Sequence, residues 1–190
     1  TSNVKKYMLR LFLFAIISEI PFNLIMGSSV FYPFHQNVLW TFLLGVLSIQ
    51  IIEKAKKKQK KWISFFVVCL VLLMDFLLGT ITMVDYNAAG ILTVLLFYFF
   101  RKKTWISFAA QLVGLYYLNV VMLGNLYYPV TILGHHFEIA QQSFALLALI
   151  PIWLYHGEQG YHSKWFKYFC YAFYPVHLLI LVVIWQWRIR

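Results

Sequence analysis

The sequence predicts an all-α protein, a polytopic transmembrane bundle of about seven spans that forms one domain over residues 1–190. Three observations carry this reading. First, 62% of the residues are hydrophobic and only 12% are charged. Soluble domains run near half apolar and about a quarter charged, so a chain of this size has no core large enough to hide its apolar surface. Second, the apolar residues fall in runs near the length of about 20 that a helix needs to cross a bilayer. Third, Lys and Arg collect in short clusters between alternate runs, as membrane topology demands. The formal charge of +10 would suit a nucleic-acid binder only if it were spread over a folded polar surface, and it is not. Nucleic acid is therefore not an expected partner; the lipid bilayer is. Tyr and Trp, part of an aromatic share of 20%, suit the two membrane–water interfaces.

The expected spans follow in order. The first covers Met8 to Met26, the second Asn37 to Ile52, and the third, the most apolar, Trp62 to Gly79. The fourth covers Asn87 to Phe100, the fifth Trp105 to Met122, the sixth Ala140 to Tyr155 and the seventh Lys167 to Trp187. Spans two, four and six lie near or below the lower length limit. The stretch Glu53 to Lys61 is basic and of low complexity and reads as a solvated loop facing anionic headgroups. The first apolar run has no cleavage site of the signal-peptide kind.

Charge tests the count. Lys5, Lys6 and Arg10 open span one. Six lysines from Lys54 to Lys61 lie between spans two and three, Arg101, Lys102 and Lys103 between four and five, and Lys164 and Lys167 between six and seven. With seven alternating spans, fourteen of the sixteen basic residues fall on one side, leaving Arg188 and Arg190 on the other. The fourteen-residue side is cytoplasmic by the positive-inside rule. The opposite loops, Gly27 to Gln36, Thr80 to Tyr86 and Leu123 to Ile139, hold His35, Asp85, His135, His136 and Glu138.

Ionisable groups within a span are costly and face protein or water, so they mark function. Glu19 in span one, Asp75 in span three and His177 in span seven are the candidates for catalysis. His177 lies roughly 15 Å into its helix, and a buried imidazole is a ready general base. Glu19 and Asn23 share a helix face, with Pro21 loosening the backbone between them. Lys167, Tyr171, Tyr174 and His177 form one stripe, and Pro175 frees a carbonyl beside it. Gln36 and Asn37 open span two from the outer side, and Asn119, Gln141 and Gln142 lie near outer ends as well. An outward-opening polar cavity with His177 near its floor is the expectation, with Asn23, Gln36, Asn37, Asp85, Tyr86, Tyr171 and Tyr174 contacting a substrate. The bland alternative for the tyrosines is interhelical hydrogen bonding. Cys69 and Cys170 read as packing residues and form no disulfide framework. His135, His136 and Glu138, with His35, lack any zinc spacing, so no metal is expected, and there is no Walker loop or GxGxxG.

Several blocks resemble the TraX-like bacterial membrane proteins. They run from Lys5–Leu11 through Ser18-Glu19-Ile20-Pro21-Phe22, Gln36-Asn37-Val38 and Asp85-Tyr86…Gly90 to Leu96–Phe99. Tyr155-His156-Gly157…Gly160 and Phe173-Tyr174-Pro175-Val176-His177-Leu178 complete the series. The chain departs from the family at His156, where Asn is usual. Further N-terminal spans with an Asp-His pair, which the family has, are not in this sequence, so it reads as the C-terminal portion of a longer protein. The resemblance implies a multi-pass protein of the bacterial cytoplasmic membrane that transfers an acetyl group from cytoplasmic acetyl-CoA to an extracytoplasmic acceptor, a pilin, glycan or lipid. Arg10, Arg101, Lys102, Lys103, Lys164 and Lys167 would then hold the donor's phosphates, and His177 would take the acceptor's proton with Glu19 or Asp75 orienting it. A non-catalytic assembly protein or a small-molecule transporter are the other classes this composition allows.

Overall fold

A computed structural model describes residues 3–189 except 125, 133, 134, 159 and 162; Arg190 lies outside the described residues. Most of the chain is helical. α1 (Val4–Gly27), α2 (Val38–Lys58), α3 (Lys61–Ile81) and α4 (Asn87–Phe99) are followed by α5 (Trp105–Tyr116), which runs on into a π segment (Tyr117–Met122). A hairpin of β1 (Tyr127–Ile132) and β2 (His135–Ala140) leads to a 3-10 segment (Gln141–Ala148), α6 (Leu149–Leu154) and α7 (Lys164–Ile189). Five helical stretches among the described residues are long and apolar enough to cross a membrane: α1, α2, α3, α5 with its π segment, and α7 up to Trp187. The fourth and sixth expected spans are shorter, 87–99 and 141–154, and the latter is a 3-10 segment joined to a six-residue helix. Where about seven spans are expected, the described residues hold five long helices and two short apolar ones.

Two further expectations change. Residues 53–58 are not a loop: α2 continues through its lysines and only Gln59 and Lys60 separate it from α3. Glu and Lys are good helix formers, and Lys56, Lys57 and Lys58 sit in the last turn, where cations complement the helix dipole. The segment expected as a long outer loop contains an antiparallel ladder from Tyr127↔Ala140 to Ile132↔His135. Its Tyr, Val, Thr and Ile content favours strands.

The chain divides into two compact units, one of residues 1–91 with 159–190 and one of residues 92–158, where the sequence shows no boundary. In the first, α1 packs against both α2 and α7, and α2 against α3. The α2–α3 seam is built from small and polar residues, with Thr41, Gly45 and Ser48 buried on α2 and Ser64, Asp75 and Gly79 on α3. Such residues let backbones approach where lipid offers no hydrophobic drive between helices. A Cβ at Gly79 would stand 2.7 Å from the Ala88 Cα, so glycine is what admits α4 there. In the second unit, Gln111 on α5 donates to the Phe100 carbonyl at 2.7 Å and accepts from Trp153 Nε1 at 2.8 Å, tying α5 to α6. Lys103 caps α6 by donating to the Trp153 carbonyl at 3.1 Å and to the Tyr155 carbonyl.

Candidate functional site

The first unit gathers its polar residues where α2 begins. Asn37 caps α2 by accepting from the Leu39 N–H at 3.1 Å, and its amide donates to the Ala15 carbonyl at 2.9 Å and to Glu19 Oε2. Because Ala15 is twelve residues before the end of α1, α2 starts roughly 18 Å down the α1 axis from Gly27. The connection between them folds back into the helix layer. Trp40, one turn into α2, adds its indole N–H to Glu19 Oε2 at 3.0 Å. One carboxylate oxygen of Glu19 thus has two donors, close to the positive end of the α2 dipole, which suits an anion. The other, Oε1, is buried with no partner among the described residues. Asn23, a turn further along α1 and only 3% exposed, donates to the Val30 carbonyl at 3.2 Å while its Oδ1 is likewise buried and unpartnered.

A second turn completes this cluster. Gln36 and Val84 form a parallel bridge, with the Gln36 N–H donating to the Met83 carbonyl and the Asp85 N–H to the Gln36 carbonyl, both at 2.9 Å. The Asp85 carbonyl accepts from Thr41 Oγ1 at 2.8 Å, and Asp85 Oδ1 lies 3.3 Å from His35 Nε2. His35 stacks on Phe22, with ring centroids 5.6 Å apart. Burial pushes the Asp85 carboxyl above the usual carboxylate range, against the opposing pull of His35; Tyr86 is raised by burial and by the Asp85 charge. Met83, Tyr86 and Asn87 all adopt positive φ, at 51°, 62° and 47°. That is a strained choice for large side chains, and such strain collects at functional turns.

α7 brings in Tyr174 and Tyr171. Glu19, Asp85 and Tyr86 are all within electrostatic reach of the Tyr174 hydroxyl. Tyr171 accepts from Arg10 Nη1 at 2.7 Å, with the guanidinium 5.8 Å from its ring and Phe14 stacked at 5.5 Å. Between α1, the start of α2 and α7 lies a cavity of about 110 Å³ lined by Tyr7, Arg10, Leu11, Phe14, Leu39, Cys170, Tyr171 and Tyr174. Arg10 and Tyr174 both line it. Arg10 precedes Glu19 by nine residues, roughly 13 Å of helix rise.

The expected residues are thus sorted. Glu19, Gln36, Asn37, Asp85, Tyr86 and Tyr174 are brought together, with Asn23 one turn away and Tyr171 with Arg10 at the cavity. His177 is held to its own helix: its ring lies 3.0 Å through Nδ1 from the Phe173 carbonyl, 5.1 Å from the Phe173 ring and 5.3 Å from that of Tyr174. A carbonyl only accepts, so Nδ1 is the donor of that contact. No hydrogen bond joins His177 to Glu19 or Asp75 among the described residues. Asp75, 4% exposed, takes the Ser48 hydroxyl at 2.7 Å. Ser48 lies eleven residues beyond Asn37, roughly 16 Å along α2, so Asp75 is remote from Glu19. Arg101 stands 5.1 Å from the Tyr98 ring, and the Lys103 ammonium is committed to α6. Lys164 and Lys167 lie in the first turn of α7. His136 pairs with Thr131 at 2.9 Å, and no group of three or more metal-ligating side chains occurs among the described residues. Sequence reasoning missed Trp40, Thr41 and Ser48. Their signal was present, since Asn37, Trp40, Thr41 and Ser48 recur at helical spacing on one face of α2.

Residues 1–185 match the family model described as TraX protein. The chain belongs to the TraX family. The match covers almost the whole chain, so the Glu19 cluster, the cavity and most of α7 lie within TraX-family sequence. No curated protein and no solved structure matches it.

Proposed function

We propose that this TraX-family membrane protein transfers a short acyl group from a cytoplasmic thioester, acetyl-CoA, to an extracytoplasmic amine or hydroxyl. The observation that carries the reading is Glu19: a carboxylate held by Asn37 and Trp40 through one oxygen, with the other oxygen buried and without a partner among the described residues, on the same helix whose Arg10 lines the cavity. A carboxylate fixed in this way is a general base whose free lone pairs await a donor. In this reading the basic helix ends face the cytoplasm: Lys5 and Lys6 open α1, Lys56–Lys58 close α2, Lys61 opens α3 and Lys164 opens α7. Arg10, Lys164 and Lys167 are then on the side from which a phosphate-bearing donor comes, and the rise from Arg10 to Glu19 suits an extended thiol-bearing arm.

Glu19 takes the acceptor's proton as it attacks the acyl carbonyl, and returns that proton to the departing thiolate. His177, on α7, relays protons toward the outer side. Asn23, Gln36, Asp85 and Tyr86 line the acceptor's approach. Asp75 pins α3 to α2 through Ser48 and takes no part in proton transfer. The test is transfer of acetyl label from acetyl-CoA to envelope material by the full-length protein in inverted membranes. Glu19→Gln, which keeps size and removes the base, is expected to lower turnover about 100-fold or more. Label transfer undiminished in that variant rejects Glu19 as base, and no transfer by the wild type rejects acyl transfer.

A further inference from the structure

We propose that the β1–β2 hairpin lies flat on lipid at the membrane surface, with one of its two faces sunk into the boundary between headgroups and acyl chains. The inference concerns residues that the acyl-transfer reading does not use, and it stands apart from that reading. Its first support is where the hairpin is tied. α5 with its π segment, Trp105–Met122, is 18 residues long, a rise of roughly 27 Å that uses up most of a hydrocarbon thickness of about 30 Å. β1 begins at Tyr127, soon after that span ends, and β2 runs straight into the apolar stretch that opens at Gln141. The Gln141 N–H donates to the Leu126 carbonyl at 2.8 Å and closes the base of the hairpin. The ladder is thus held close to the end of a membrane helix, the end opposite Arg101, Lys102 and Lys103.

The register then sorts the side chains. Tyr128↔Ile139 and Val130↔Phe137 pair on one face, and Pro129↔Glu138 and Thr131↔His136 on the other, because successive residues of a strand point to opposite sides. Two contacts agree with this: His136 Nδ1 lies 2.9 Å from Thr131 Oγ1 across the strands, and the His135 ring stands 6.5 Å from that of Phe137, two residues on. One face is apolar and the other polar. The apolar face is left open among the described residues, with Tyr128 49% and Phe137 50% exposed. A two-faced surface held beside a bilayer buries its apolar side in the interface, where a Tyr ring is also at home. The backbone sets the depth. A two-stranded ladder has open edges, so it stays at headgroup level and does not enter the hydrocarbon core. Pro129 lowers that cost, since the Leu126–Gln141 bond places it in a pair whose N–H would point off the ladder. No Lys or Arg lies between Lys103 and Lys164, so the hold on lipid is apolar and needs no anionic headgroup. Thr131, His136 and Glu138, all exposed, are left facing water.

The test uses the full-length protein carrying Cys69→Ser and Cys170→Ser in phosphatidylcholine vesicles. Spin labels replace, one at a time, Val130, Phe137 and Ile139 on the apolar face and Thr131, His136 and Glu138 on the polar face, with folding checked by circular dichroism. Electron paramagnetic resonance compares collisions with oxygen, which concentrates in lipid, and with a water-soluble nickel chelate. The ratio of oxygen to nickel collisions is expected to be several-fold higher for the apolar set, alternating along each strand, and to be the same when phosphatidylglycerol is added. Nickel reaching both sets alike would mean a hairpin standing in water, and overturns the proposal. An apolar set shielded from both reagents would mean that protein covers this face, and overturns it too. Phe137→Asp, which leaves the base of the hairpin intact, is expected to raise nickel access at Ile139 several-fold; unchanged access there counts against a lipid hold.

Discussion

Asn37 ties the start of α2 to two points on α1, and replacing it gives a calculable result. Its side chain makes three hydrogen bonds: to the Leu39 N–H, the Ala15 carbonyl and the Glu19 carboxylate. Loss of a helix cap costs about 1 kcal/mol. Loss of a bond to a charged group costs roughly 1.5–3 kcal/mol, and interhelical bonds in membranes average about 0.6 kcal/mol. Asn37→Ala is therefore expected to destabilise by about 2–4 kcal/mol, since the three contributions share partners and do not add fully. Asn37→Asp separates the causes. It keeps the oxygen that caps α2, loses both donors and sets a second carboxylate against Glu19. Unfolding of the purified protein from mild detergent into dodecyl sulfate, followed by circular dichroism at neutral pH, should find the Asp variant at least as destabilised as the Ala variant. An Asp variant within about 0.5 kcal/mol of wild type would mean that capping alone matters and that the Glu19 contact is idle.

Further expectations follow from the surrounding contacts. Burial raises the Asp85 carboxyl above its ordinary range, so the folded state binds this proton more tightly than the unfolded one, and stability declines as pH rises through the raised value. Asp85→Asn lacks that decline: its thermal midpoint should equal that of wild type in acid and exceed it near neutrality, and a gap that stays constant with pH contradicts the assignment. Gly79→Ala places a Cβ 2.7 Å from the Ala88 backbone and should cost about 1–3 kcal/mol, read as a lower thermal midpoint; an unchanged midpoint shows that α4 yields freely. His177→Ala should slow acetyl transfer roughly 10- to 100-fold, and turnover equal to wild type removes the proton relay.

The long apolar runs made α1, α3, α5 and α7 legible in the sequence, because twenty consecutive apolar residues have few alternatives to a membrane helix. The true end of α2 was hidden by lysines that read as a solvated loop, although lysine is itself a good helix former. The β1–β2 hairpin was hidden by its length of six residues per strand, too short to stand out beside helical runs. Glu19, Asn37 and Tyr174 were visible as polar residues in apolar surroundings. Their meeting was not, since it depends on α2 beginning deep beside Ala15, a register that no local pattern encodes. Asp75 was equally visible and lies elsewhere, because Ser48 gives it a partner on the neighbouring helix face. His177 was visible too, but an imidazole can satisfy itself on the carbonyl one turn back, and periodicity does not reveal that.

The account depends on the donor occupying the cavity between α1 and α7, and two cysteines make this measurable. Cys170 lines the cavity while Cys69 lies on α3, and both are exposed. Alkylation of the full-length protein by a small maleimide, with and without coenzyme A, reads occupancy at each. Donor in the cavity predicts that coenzyme A slows modification of Cys170 in a saturable way and leaves Cys69 unchanged. Equal rates at Cys170 with and without coenzyme A would contradict it.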